Sequence, residues 1–170
     1  MDPSLRFSFI DNNEGEPFGT DAPHREERFL EVANLLEGLL PWGSNETIVV
    51  FYNPDFVAQF NNAEGIAYRS PTTGMINIGI GDLNPNHGVF RSIVAEEIYH
   101  AAEISSGLLP QPATQIERWQ AEVRAINFLL EHRELIDFNV SRRDELRGLR
   151  DDYEDCIEGN SNTTCQQPQE

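Results

Sequence analysis

The chain has 170 residues and a formal charge of −17 at neutral pH, with 29 acidic against 12 basic side chains. Its length suits one domain with its own core, and 39% hydrophobic residues with ten phenylalanines argue for a globular protein rather than a disordered one. A phosphate-binding surface needs clustered basic residues, so neither nucleic acid nor an anionic membrane is an expected partner; a cation or a basic protein suits the charge better.

The opening MDPSLRF is compatible with the cut edge of a longer, secreted protein. No basic region followed by an apolar stretch is visible, and no run of about 18 apolar residues occurs, so neither a signal peptide nor a transmembrane helix is expected and localisation stays open. FSFIDNNEGEPFGTDAP is rich in Gly, Asn and Pro and reads as a loop or an edge strand. In HREERFLEVANLLEGLLP, Phe29, Leu30, Val32, Leu35, Leu36, Leu39 and Leu40 recur at helical spacing, with Asp21 to cap the start, Pro23 in the first turn and Pro41 to close it. ETIVVFYN is a β-branched and aromatic run, expected as a buried strand. GIAYRSPTTGMINIGIG reads as two strands joined by the turn Pro71-Thr72-Thr73-Gly74.

After the loop DLNPNHG a helix is expected to run until Gly107, with Pro110 and Pro112 just beyond. ATQIERWQAEVRAINFLLEHREL predicts a second long helix to about residue 135, and SRRDELRGLRDDYEDC a short exposed one. Cys156 and Cys165 flank a short polar loop; a disulfide and two free thiols are both open, while their spacing excludes a CxxC metal knuckle. The expected architecture is α+β: an N-terminal helix, a small sheet of about three to four strands, and two long helices. Residues 1–150 are expected to form a single domain with its core at about 25–135, and 151–170 a polar, flexible tail.

The chemistry concentrates in RSIVAEEIYHAAEIS. A helix advances about 100° per residue, which puts Phe90, Ile93, Val94, Ala101 and Ile104 on one arc beginning beside His100. Glu97 falls within that arc, whereas Glu96 and Glu103 lie on the polar side of His100. In the next helix Trp119, Val123, Ile126, Leu129 and Leu130 form the apolar stripe, with Glu122 at its edge. Two successive helices thus aim a carboxylate at the core, and the first adds an imidazole. A buried ionised carboxylate costs several kcal/mol unless it is paired, protonated or bound to a metal. A cation held jointly by these groups accounts for all of them. Three ordinary alternatives compete. The acids pair with Arg91, Arg118, Arg124 or Arg133, or His100 bonds a backbone carbonyl, or the helices are rotated so that the acids reach solvent.

These motifs resemble the zincin metallopeptidases, specifically the gluzincins. That family carries His-Glu-x-x-His on a helix preceded by a small sheet, and a glutamate on a following helix. This chain has Glu96-Glu97-Ile98-Tyr99-His100, and then Glu122, 22 residues beyond His100. The contexts EEIYHA and AEVRA are also similar to small zincin-like domains at the C-terminal ends of bacterial polymorphic toxins. The resemblance spans roughly residues 25–135. It implies a metal-dependent peptide hydrolase with His100 and Glu122 as metal ligands, Glu97 as general base, and a polypeptide substrate or protein partner. Where the family has its first histidine, this chain has Glu96. Two carboxylates and one imidazole make a harder, more anionic site, suited to zinc but also to manganese or iron. Tyr99, His87 and His132 are candidates for stabilising an oxyanion, and MINIGIG is a candidate edge strand for pairing with an extended substrate. Other readings are a metal-free zincin fold serving as a binding or regulatory module, a di-iron carboxylate protein, and an acidic inhibitor or immunity protein.

Overall fold

The structure, a computed structural model, describes residues 3–10, 22–60, 63–81, 88–159 and 165. Along the chain run α1 (Pro3–Arg6), β1 (Phe7–Ile10), α2 (Ala22–Leu36), β2 (Ile48–Tyr52) and α3 (Pro54–Ala58). Then follow β3 (Gly65–Arg69), β4 (Ile76–Ile80), α4 (Gly88–Ser106), α5 (Gln115–Glu131), α6 (Arg133–Ile136) and α7 (Val140–Glu158). The architecture is α+β, as expected.

The four strands form one sheet in the order β1-β2-β4-β3. β1 and β2 pair in parallel, as do β2 and β4, and β3 returns antiparallel to β4 across the Pro71–Gly74 turn. The hairpin is therefore as the sequence suggests, but the edge assignment needs correcting. The strand in MINIGIG has β2 on one side and β3 on the other. Alternation of Ile76, Ile78 and Ile80 with Asn77 and Gly79 reports which face is apolar, not whether a strand has two neighbours. The edges are β1 and β3. The register puts Ile48 beside Ile76 and Val50 beside Ile78, and these residues with Ile80 are fully buried. They pack in one core with Phe29, Val32 and Leu36 of α2 and Phe90, Val94, Ile98 and Ala101 of α4.

α2 stops at Leu36, short of Pro41, because the chain turns through Gly38 at φ +86°, a conformation that costs glycine little. Leu39 is consequently exposed. The residue expected as its cap, Asp21, lies outside the described residues. α4 ends at Ser106 before Gly107, as expected. α5 starts at a capping box in which Thr114 accepts from the Glu117 N–H and the Glu117 carboxylate accepts from the Thr114 N–H.

α7 departs most from expectation. It is 19 residues long rather than short, and it packs along α5 rather than standing in solvent. Arg142 is buried and donates to Ser92 Oγ of α4 at 3.0 Å; Leu146 and Cys156 are buried, and Arg150 donates to Asn127 of α5 at 3.2 Å. Helix therefore continues through residues 151–158, which the sequence assigns to a flexible tail. Cys156 and Cys165 form a disulfide with Cα atoms 5.6 Å apart, resolving the open alternative. No helix among the described residues is long and apolar enough to cross a membrane.

Candidate metal centre

α4 runs beneath the sheet and is covered on nearly every side. Ser92, Ala95, Ile98 and Ala102 are as buried as Val94 and Ala101. Glu96 and His100 sit one turn apart and so share a face. The short connection from Gly107 to Thr114 lets α5 pack alongside, bringing Glu122 to the same place. His100 Nε2 lies 3.5 Å from Glu122 Oε1 and 4.0 Å from Glu96 Oε1. One ligand atom from each of Glu96, His100 and Glu122 falls within 4.8 Å of the others. Donors about 2 Å from a shared ion sit roughly 3–3.5 Å apart, so small side-chain rotations suffice to close the set.

Glu97 is 2% exposed and lines, with His100, Glu122, Ala67 and Leu109, a cavity of about 20 Å³. That is room for about one water molecule or ion. Its inward position depends on the residue opposite. A Cβ at Gly65 of β3 would lie 2.8 Å from Glu97 Cγ and 3.1 Å from Ile93 Cγ2. The strand crosses the helix there over bare backbone.

The electrostatics are those of a site short of positive charge. Burial pushes the Glu97 carboxyl up to about 8; the charge of His100 pulls it down and that of Glu122 pushes it further up. Burial and then the charges of Glu122 and Glu97 hold Glu96 well above the usual carboxylate range. For His100 burial opposes the cation, yet Glu122, Glu97 and Glu96 together outweigh it and raise the imidazole to about 10. Glu122 ends below its ordinary value, because the charge and close approach of His100 overcome its burial. Oε2 of Glu97 and both ring nitrogens of His100 are buried with no hydrogen-bond partner among the described residues. A native interior rarely leaves such groups unpaired, and Glu96, His100 and Glu122 are placed so that they could hold a metal ion.

Glu103 is misplaced by the sequence reading. It is fully buried, not on a polar face. Its Oε2 accepts from Arg124 Nε of α5 at 2.6 Å, and its Oε1 points at His100 Nδ1, 3.9 Å away. A carboxylate behind the far nitrogen of a ligating histidine fixes which nitrogen faces the ion. Of the four arginines offered as ordinary partners, three are engaged elsewhere: Arg124 serves Glu103, Arg91 donates to Ile136 O, and Arg133 donates to Phe138 O. Arg118 lines the same cavity as Glu97, His100 and Glu122.

The oxyanion candidates are not brought in. Tyr99 points about 100° away from His100 around the helix, and its ring lies 4.8 Å from that of Phe128. His132 caps the end of α5 with its ring 4.5 Å from Phe128, and it lines a different groove. His87 is outside the described residues. A tyrosine that the sequence reading passed over, Tyr153 of α7, does reach the cluster. Burial, then the charges of Glu122 and Glu96, raise its hydroxyl pKa.

Comparison with protein-family models, curated proteins and solved structures finds no match. The likeness to zincins therefore rests on Glu96 to His100, Glu122 and the order of elements around them.

Proposed function

We propose that this chain is a zincin-like, metal-dependent peptide hydrolase, with Glu96, His100 and Glu122 as ligands and Glu97 as general base. The observation that carries the reading is convergence. Three potential ligand atoms from two helices lie within 4.8 Å of one another, and Glu97, buried with its Oε2 lacking a hydrogen-bond partner among the described residues, lines a small cavity with two of the three, His100 and Glu122.

A divalent ion bound there would supply Lewis-acid polarisation of a carbonyl and lower the pKa of water. Zinc, manganese and iron all suit two carboxylates and an imidazole. The remaining work falls to the chain. Glu97 would take the proton of the attacking water and return it to the leaving group. Its carboxyl, raised to about 8 by burial in the metal-free protein, needs the nearby cation to bring it back to the ionised form a base requires. Glu103, itself held by Arg124, stands 3.9 Å from His100 Nδ1 and would orient the ring once that gap closes. Burial excludes bulk water from the acid and base.

A peptide is the substrate the neighbouring sheet edge favours. Ser70 N–H donates to Met75 O, and Gly81 N–H donates to Glu64 O. The antiparallel alternation therefore turns the N–H and C=O of Gly65, Ala67 and Arg69 away from β4. Ala67 lines the cavity with Glu97 and His100. An extended chain pairing there passes over the carboxylates.

The alternative, a metal-free binding module, draws on Glu96 in the first ligand's place and on the direct approach of His100 to Glu122. Elemental analysis of protein purified without chelator separates the two. One equivalent of ion, lost in both His100→Ala and Glu122→Ala and kept in Glu97→Gln, supports the hydrolase. A metal-free protein whose melting temperature ignores added zinc, manganese and iron supports the module.

A further inference from the structure

The cavity beside Glu97 is too small to admit a peptide. At about 20 Å³ it holds one water molecule or ion, whereas pockets that take organic ligands run to roughly 300–1,000 Å³. Glu97, His100 and Glu122 are 2%, 6% and 8% exposed, so a peptide carbonyl reaches them only if a wall moves. Most of the walls are fixed. Ala67 belongs to β3, which is paired with β4; Glu97 and His100 belong to α4, and Ala121 and Glu122 to α5. Among the described residues Leu109 is the one lining side chain outside a strand or helix.

Leu109 sits in the connection from Gly107 to Ala113, and the make-up of that segment suits it to swing. Leu109 is buried, but Leu108, Pro110, Gln111 and Pro112 are exposed, so the outer side of the segment faces solvent. Gly107 at its start has φ +81°, and nothing lies within 4 Å of where a Cβ would be, which leaves room for a hinge. Its middle is stiff, because Pro110 and Pro112 each fix φ, and the capping box at Thr114 marks where rigid helix resumes. A groove of about 630 Å³ lies between this segment and β3, so the two are not packed together along their length. A latch joins them: the Arg69 N–H donates to Oε1 of Gln111 at 3.3 Å. The side-chain oxygen of Gln111 thus stands where the carbonyl of a peptide paired with β3 would accept.

We propose that residues 107–113 form an autoinhibitory strap over the site, with Leu109 as its plug and Gln111 as its latch. Closed, the strap fills the peptide's place at Arg69 and walls off Glu97, His100 and Glu122. Open, hinged at Gly107 and before Thr114, it uncovers both together. This deepens the hydrolase reading and rests on it for the identity of what enters. A peptide arriving at β3 competes with Gln111 for the same N–H, so the incoming backbone itself releases the latch. The latch is weak: an exposed side-chain hydrogen bond contributes little net, and its loss should raise the open population by about two- to tenfold.

The test reads access to the cavity without using activity. Both cysteines of the chain are in the disulfide, so Ala67→Cys introduces a single free thiol on the cavity wall. Its rate of alkylation by iodoacetamide, with no metal present, is measured alone, with Gln111→Ala, and with Leu108→Ala, whose side chain is 52% exposed on the same segment. Gln111→Ala should speed alkylation about two- to tenfold, and Leu108→Ala should leave it unchanged. An equal rate in all three, an equal acceleration by both, or an acceleration matched by a fall in global stability in urea would overturn the strap. Metal content is measured on the same proteins with Ala67 restored. One zinc bound with no acceleration refutes the strap and spares the metal site. Acceleration in a protein that binds no zinc, manganese or iron does the reverse.

Discussion

Replacing Glu97 by glutamine keeps the shape of the side chain and removes its ionisation. Glu97 is 2% exposed, and its Oε2 lacks a hydrogen-bond partner among the described residues. In the metal-free protein its carboxyl is raised from 4.5 to about 8. A group whose folded pKa is raised contributes stability that is complete below the unfolded value and is lost as pH climbs through the folded one. Unfolding should therefore become easier between about pH 5 and pH 9, by roughly 1.4 kcal/mol per pH unit from this residue until the folded carboxyl ionises. The interval from 4.5 to about 8 corresponds to at most about 5 kcal/mol, an upper bound because Glu122 and His100 share the titration. His100, raised from 6.5 to about 10, adds a decline of its own across the upper part of that range; Glu122 is the largest cause of that rise and stays in both proteins, while the smaller part due to Glu97 is lost in the variant. The assay is urea unfolding of wild type and Glu97→Gln, in chelator, at several pH values between these limits. The variant should match the wild type near pH 5 and exceed it by several kcal/mol near pH 9. A stability gap that does not change with pH would refute the description of Glu97 as a buried, unpaired acid.

Glu103→Gln should lower zinc affinity by about tenfold, since the groups behind a ligating histidine typically matter by 10- to 100-fold; isothermal titration measures it, and an unchanged affinity counts against the link from Glu103 to His100. Arg124→Ala should cost about 3 kcal/mol or more in urea, because it strands a fully buried carboxylate; a cost below that of Glu103→Gln would contradict the pairing. Gly65→Ala forces a methyl group to 2.8 Å from Glu97 Cγ, and overpacking of this kind costs about 1–3 kcal/mol. Bound metal should survive in that variant while hydrolysis falls, with elemental analysis and a peptide assay as the paired measurements. In the metal-free protein the imidazole of His100 is protonated at neutral pH, so zinc must displace a proton. Calorimetry in buffers of different ionisation enthalpy should show that release, with affinity rising as pH rises towards about 10; buffer-independent heats would argue that His100 is not a ligand.

Much of this was legible in the sequence, and the exceptions have physical causes. α4 and α5 follow from periodicity and terminators, and the arcs that placed Glu97 and Glu122 inward hold in three dimensions. The hairpin follows from Pro71 to Gly74. What a single helix cannot report is how much of its circumference its neighbours cover. α4 is wrapped on almost all sides, so Glu103, assigned to a polar face by its angle, is buried against Arg124. Strand alternation was equally silent about β4 having two neighbours. α7 was undervalued because its charged run leaves only a narrow stripe, Arg142, Leu146, Tyr153 and Cys156, whose first member is an arginine. The spacing of that stripe was readable. That Arg142 would be buried against Ser92 was not.

The placement of α7 also bears on how the molecule tolerates trimming. Its last two turns bring Tyr153 near enough for the charge of Glu122 to act on its hydroxyl, and they carry Cys156, bonded to Cys165. A product clipped near residue 150 would lose both, leaving the outer flank of the acidic cluster open to bulk solvent.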